Sequence, residues 1–162
     1  MRSIVLAAPV AALALCACTA TGPKFAPLSP PEGKAVVYVY RMNHFAMSMS
    51  DVHIYLDGKK VFDLTNDGYS TLTLAPGHYV ISERLPDGLD GKTDLQKPVF
   101  LPLDVKAGQR RYVHFEIRNG DADTVAAANA NDNVYVFDWW LHEEDEATGL
   151  RELADKHFQA PF

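Results

Sequence analysis

The sequence predicts a mainly β fold, an antiparallel β-sandwich of about seven or eight strands with a C-terminal helix. Three observations predict it. From Pro31 onward apolar residues recur mostly with a period of two. Turn signals, among them Asp57-Gly58, Pro76-Gly77 and Ala107-Gly108, punctuate these runs at short intervals. Only the end of the chain changes to helical spacing.

Each element has its own reason. Ala35 to Arg41 is β-branched and aromatic on both faces, which predicts a central strand. Val52, Ile54 and Leu56 alternate with His53 and Tyr55, and Lys59 to Leu64 returns. The Asp57-Gly58 pair between them tolerates positive φ and predicts a tight type I′ hairpin. Tyr69 to Leu74 alternates again, Ala75-Pro76-Gly77 turns the chain, and His78 to Glu83 returns. Val99, Leu101, Leu103 and Val105 make the next apolar face. Pro102 among them points to an edge or a bulge, because it lacks an amide hydrogen. Val113, Phe115 and Ile117 share a face of the following strand, and Val134 to Phe137 is a short last one. Residues 86–97 and 119–133 read as loops. Ala147, Leu150, Leu153, Ala154 and Phe158 then recur as in a helix, with Glu143 to Glu146 crowding its start and Lys156 and His157 near its end. Gly149 inside that helix carries a cost of about 1 kcal/mol relative to alanine.

Composition narrows the function classes. The 162 residues carry a formal charge of −6, with 48% hydrophobic and 22% charged residues. Such a chain can build one cored domain. Its acidity argues against nucleic acid as a partner.

The N-terminus reads as an address. Met1-Arg2 is followed by an alanine- and leucine-rich run from Ile4 to Leu15, the layout of a secretory signal. The run is too short to span a bilayer as a helix. Both cysteines, Cys16 and Cys18, lie at its end. Leu15-Cys16-Ala17-Cys18 resembles a bacterial lipobox, with a small residue before the modified cysteine and an aliphatic one three before it. Cys18 fits that pattern, whereas Leu15 is too bulky to precede the cleavage at Cys16. The resemblance implies diacylglyceryl transfer to Cys18 and cleavage before it. Residues 1–17 are then the signal peptide and 18–31, polar and proline-rich, the lipidated N-terminus and a tether. Residues 32–138 form the sandwich and 139–162 the C-terminal helix and tail. Thr19 is not the aspartate that retains lipoproteins at the inner membrane. The expected address is therefore the cell envelope, lipid-anchored at the outer membrane and facing the periplasm.

Two longer blocks carry a further resemblance. Pro31-Glu32-Gly33-Lys34-Ala35 with Val37-Tyr38-Val39-Tyr40-Arg41 resembles the opening of a bacterial family called domain of unknown function 2846. The block from Val52 to Lys59, then Tyr69, then Leu74-Ala75-Pro76-Gly77-His78-Tyr79, resembles the same family, and is also similar to PEGA-type β modules. The resemblance implies a β-sandwich and an envelope address. It implies no activity and no catalytic residue.

The residues themselves supply no reaction. No Gly-x-Ser-x-Gly, phosphate loop or dinucleotide fingerprint occurs. His142-Glu143 opens like a zinc-protease helix, but Glu146 stands where the second histidine belongs. His53, His78 and His114 lie on expected strands, where two could meet across a pair; Asp121, Asp123, Asn131 and Asp132 lack the EF-hand order. Asp57, Asp63, Glu83 and Glu116 have no fixed separation. No catalytic residue, metal ligand or cofactor is assigned. Two features point instead to contact surfaces. Trp139-Trp140, expected where the last strand meets the helix, and seven tyrosines offer aromatic platforms for a glycan or a small ligand. Phe45 and Met47, in an apolar loop with Met42 and Met49, suit an adaptable protein contact. The expected function is a non-enzymatic, lipid-anchored accessory or interaction module with an envelope protein partner. The alternative is a glycan- or small-ligand-binding module using the surface tyrosines and Trp139-Trp140.

Overall fold

The computed structural model describes residues 20–45, 48, 50–84, 99–119 and 137–161. The described residues form nine strands and one helix: β1 (Ala35–Arg41), β2 (Val52–Leu56), β3 (Lys59–Leu64), β4 (Gly68–Leu74), β5 (Gly77–Arg84), β6 (Phe100–Val105), β7 (Arg110–Asn119), β8 (Phe137–Glu144), α1 (Glu146–Leu153) and β9 (His157–Phe158). One sheet has the order β8-β7-β1-β4-β9 and the other β3-β2-β5-β6. The predicted β-sandwich is the observed fold.

The period-two alternation builds the core between the sheets. Ala35, Val37, Val39, Val113, Phe115 and Leu141 from the first sheet meet Ile54, Phe62, Leu64, Ile81 and Leu103 from the second. β1 buries all seven residues, as a central strand should. The β2–β3 hairpin turns on Asp57 and Gly58, with φ of 49° and 78°. The Asp57 carboxylate accepts from the Val80 amide at 2.8 Å, tying the turn to β5.

The pairing is mostly antiparallel, with two parallel neighbours, β1 with β7 and β4 with β9. The β1–β7 pair arises because β6 lies in the other sheet, so the chain crosses over before returning beside β1.

The C-terminal region departs from the expected layout. Trp139 to Glu144, expected at the entry to a helix, continue strand β8, so the boundary placed after residue 138 falls inside it. These residues pair with β7 from Tyr112↔Glu144 to Ile117↔Trp139. The helix begins only after Asp145, whose carboxylate caps it by accepting from the Thr148 amide at 3.0 Å. It ends at Leu153, and Phe158 leaves the helical pattern to pair beside Tyr69 in β4. Buried Lys156, 2.5 Å from the Asp67 carboxylate, fixes the intervening turn.

Gly149 packs α1 onto β7. A Cβ there would lie 2.4 Å from Cγ of Tyr112, so only glycine lets the helix approach this closely. Under the helix, Val36, Tyr38, Tyr40, Tyr69, Tyr112 and Leu153 form a second apolar cluster on the outer face of the five-stranded sheet.

Candidate functional site

Cys16, Cys18 and the apolar leader lie outside the described residues. From Ala20 the chain is docked, not free. The Ala20 amide donates to the Asn66 carbonyl at 3.3 Å, Phe158 N–H to the Pro23 carbonyl at 2.8 Å and Phe25 N–H to the Lys156 carbonyl at 2.9 Å. Phe25 packs edge-on against Tyr38 and Tyr69, each at 5.4 Å. The Leu28 amide donates to the Tyr38 hydroxyl at 2.6 Å. Within the segment 18–31 expected as a tether, Ala20 to Leu28 therefore lies against the domain. Proline-rich composition concealed this, because an extended segment with few free amides also suits lying along a strand edge.

That entry point shares one end of the sandwich with the β1–β2 loop. Asn66 joins them: its carbonyl holds Ala20, its side-chain oxygen accepts from the His44 amide at 3.0 Å, and its amide donates to Asn43 Oδ1 at 2.9 Å. Phe45, a predicted contact residue, stands 94% exposed in this loop, beside Met42 at 38%. Met47 and Met49 lie outside the described residues.

The other predicted contacts are engaged inside the fold. Trp139 Nε1 donates to Glu83 Oε1 at 2.6 Å across the sandwich. Burial pushes the Glu83 carboxyl up to about 7, against the opposing effect of the Trp139 hydrogen bond. Trp140 is half-buried under the Arg118 guanidinium, 4.6 Å from its ring centroid. Tyr38, Tyr40, Tyr69 and Tyr112 are buried, so they form the packing between sheet and helix and not an open platform. Burial, and then the neighbouring Glu146, push the Tyr112 hydroxyl up to about 12, and burial followed by Glu152 raises Tyr40. Both stay protonated as donors; Tyr40 donates to Glu152 Oε2 at 2.6 Å.

Next to these tyrosines the same outer face gathers imidazoles and carboxylates. His114 on β7 lies directly opposite His142 on β8. One ligating atom each from His114, His142 and Glu144 falls within 4.8 Å of the others. His142 Nε2 is 2.8 Å from Glu144 Oε1 and 3.9 Å from Glu116 Oε2. His114 Nδ1 is 3.6 Å from Glu152 Oε2 on α1, and its ring stacks on Tyr40 at 4.8 Å. Burial lowers the His114 value below that of a free imidazole, outweighing the nearby glutamates, so it is neutral at pH 7. A cavity of about 170 Å³ opens beside the cluster, lined by residues 41–44 and 114–117. Sequence reasoning placed His114 and His142 separately and missed their meeting. The available signal was the repeated His-x-Glu of His114-Phe115-Glu116 and His142-Glu143-Glu144. On a strand that spacing sets both side chains on one face.

The remaining candidates are scattered. His53 pairs with Asp63 across the β2–β3 hairpin, and His78 with Asp104 in solvent. Lys60 and His53 together hold the Asp63 carboxyl below its usual range despite its partial burial. Asp57 serves its turn, and Glu116 pairs with Arg118 at 2.5 Å. Asp121, Asp123, Asn131 and Asp132 lie outside the described residues. Among the described residues no helix is long and apolar enough to cross a membrane.

No curated protein matches the chain. The family model described as "Protein of unknown function (DUF2846)" matches residues 31–130, more than half of the chain and nearly all of the sandwich through β7. The chain belongs to the DUF2846 family.

Proposed function

We propose that this protein is a lipid-anchored, non-enzymatic module of the cell envelope, held by acylated Cys18 at the outer membrane and facing the periplasm. One observation carries the reading beyond the leader sequence. The chain enters the domain at Ala20, at the end where Asn66 also holds the exposed Phe45 loop. Two residues of extended chain, from Cys18 to Ala20, reach only about 7 Å. An anchor there sets this end of the sandwich against the bilayer interface. Phe45, 94% exposed, then enters the headgroup region beside the lipid chains. Acyl chains contribute about 0.8 kcal/mol per buried methylene, so the lipid dominates attachment and the aromatic ring adds to it.

The functional consequence is position. A head fixed at one height and one orientation presents the same surfaces to its envelope neighbours, which raises their effective concentration for each other. Labelled palmitate should enter the wild-type protein, and Cys18→Ser should abolish incorporation and move the protein to the soluble fraction. Incorporation that survives Cys18→Ser and is lost in Cys16→Ser would put the cleavage two residues earlier. No incorporation into either cysteine would end the reading.

A further inference from the structure

We propose that His114, His142 and Glu144, with Glu116 closing the fourth position, form a binding site for one divalent cation of the zinc class. The ligand set is two imidazoles and a carboxylate, donors that suit zinc and its first-row neighbours. Their nearest ligating atoms already lie within 4.8 Å of one another. Tetrahedral zinc with ligand distances of about 2.0–2.2 Å needs donors roughly 3.3–3.6 Å apart, so these three would have to close by only about 1–1.5 Å.

A second observation points to a missing ligand. The His114 side chain is only 8% exposed, yet its Nε2 has no hydrogen-bond partner. An imidazole nitrogen buried without a partner is costly, and a metal ion satisfies it. Its other nitrogen faces Glu152, which in turn accepts from Tyr40 at 2.6 Å. That is a carboxylate behind a histidine, the outer-sphere arrangement that fixes the tautomer of a ligating ring. Charge agrees. Glu116, Glu144 and Glu152 converge on the two imidazoles, while Arg118 and Arg151 each contact one carboxylate from the periphery. Glu116 offers its second oxygen, Oε2, 3.9 Å from His142 Nε2. A closed four-ligand site of this kind fastens β7 to β8 where their ladder runs under α1, and its binding energy adds to folding. The inference does not depend on Cys18.

The test uses the full, untagged chain in detergent, stripped with a chelator and titrated with Co²⁺ and Zn²⁺. One Co²⁺ per chain should bind with the intense visible bands of a tetrahedral site, and Zn²⁺ should displace it and raise the melting temperature. His142→Gln, at a partly exposed position, should leave the chain folded and weaken binding by at least about tenfold, the loss that outer-sphere changes alone produce. It should also remove the melting shift. His78→Ala, at the exposed His78–Asp104 pair, should change neither. A folded wild type that binds no stoichiometric Co²⁺, or a His142→Gln variant that binds it equally well, would overturn the site. So would loss of binding in His78→Ala alone.

Discussion

Strand β1 buries every residue on both faces, whereas β5 in the other sheet leaves His78, Val80 and Arg84 in solvent. The inner faces of the two sheets are built alike, from alternating aliphatic and aromatic residues. Their outer faces differ. The five-stranded sheet, with β9 at its edge, is covered by α1 and by the docked segment from Ala20, which together enclose four tyrosines. The four-stranded sheet shows water His53, Tyr55, His78, Val80 and Phe100, with Phe100 58% exposed. Cover therefore decides where chemistry can gather. Partly covered polar groups need partners, so the imidazole–carboxylate cluster grows at the margin of the covered face. On the bare sheet the same residue types form isolated pairs screened by solvent.

The contrast can be broken by truncation. Tyr38→Ala removes a fully buried ring from the covered face and should cost about 3–5 kcal/mol in chemical denaturation. Val80→Ser on the bare face should stay within about 0.5 kcal/mol. Equal losses would mean that the cover does not act as a second core.

A pH series sharpens the account of what the two sheets share. Glu83 from the open sheet meets Trp139 from the covered one, and its folded value of about 7 lies above the ordinary 4.5. A raised carboxyl contributes stability that is complete below about 4.5 and is lost as pH rises through about 7. At about 1.4 kcal/mol per unit, the loss by pH 8 should be about 3 kcal/mol, and Glu83→Gln should remove it from the denaturation profile. An unchanged slope in that variant would show that Glu83 is ionised without penalty.

A smaller loss than that of Tyr38→Ala concerns the fit of the cover. Gly149→Ala gains helix propensity but drives a methyl into Tyr112 at 2.4 Å, for a net loss of about 1–3 kcal/mol. A stabilised variant would mean that α1 has room to lift from the sheet.

The bare sheet was the legible one. Its alternation and its Asp57-Gly58 turn identify the β2–β3 hairpin directly; in the covered sheet β1, β-branched and aromatic on both faces, reads as plainly as a central strand. The covered sheet hides its design for physical reasons. β8 carries Trp139-Trp140 and then His142, Glu143 and Glu144, and a strand with charged pairs on its outer side looks like an acidic helix start. Gly149 looks like a weakness in the helix and is its point of closest contact. The segment from Ala20 to Pro31 has the composition of a free leash, and its backbone bonds to Asn66, Lys156 and Phe158, with Phe25 against Tyr38 and Tyr69, reveal that Ala20 to Leu28 is packed. His114 and His142 are far apart in sequence, and the β7–β8 register alone brings them together.

Mass spectrometry of the N-terminal peptide from membrane-bound protein tests the anchoring most directly. The expected chain begins at Cys18, its sulfur carrying diacylglycerol. An unacylated peptide, whatever residue it began with, would contradict it.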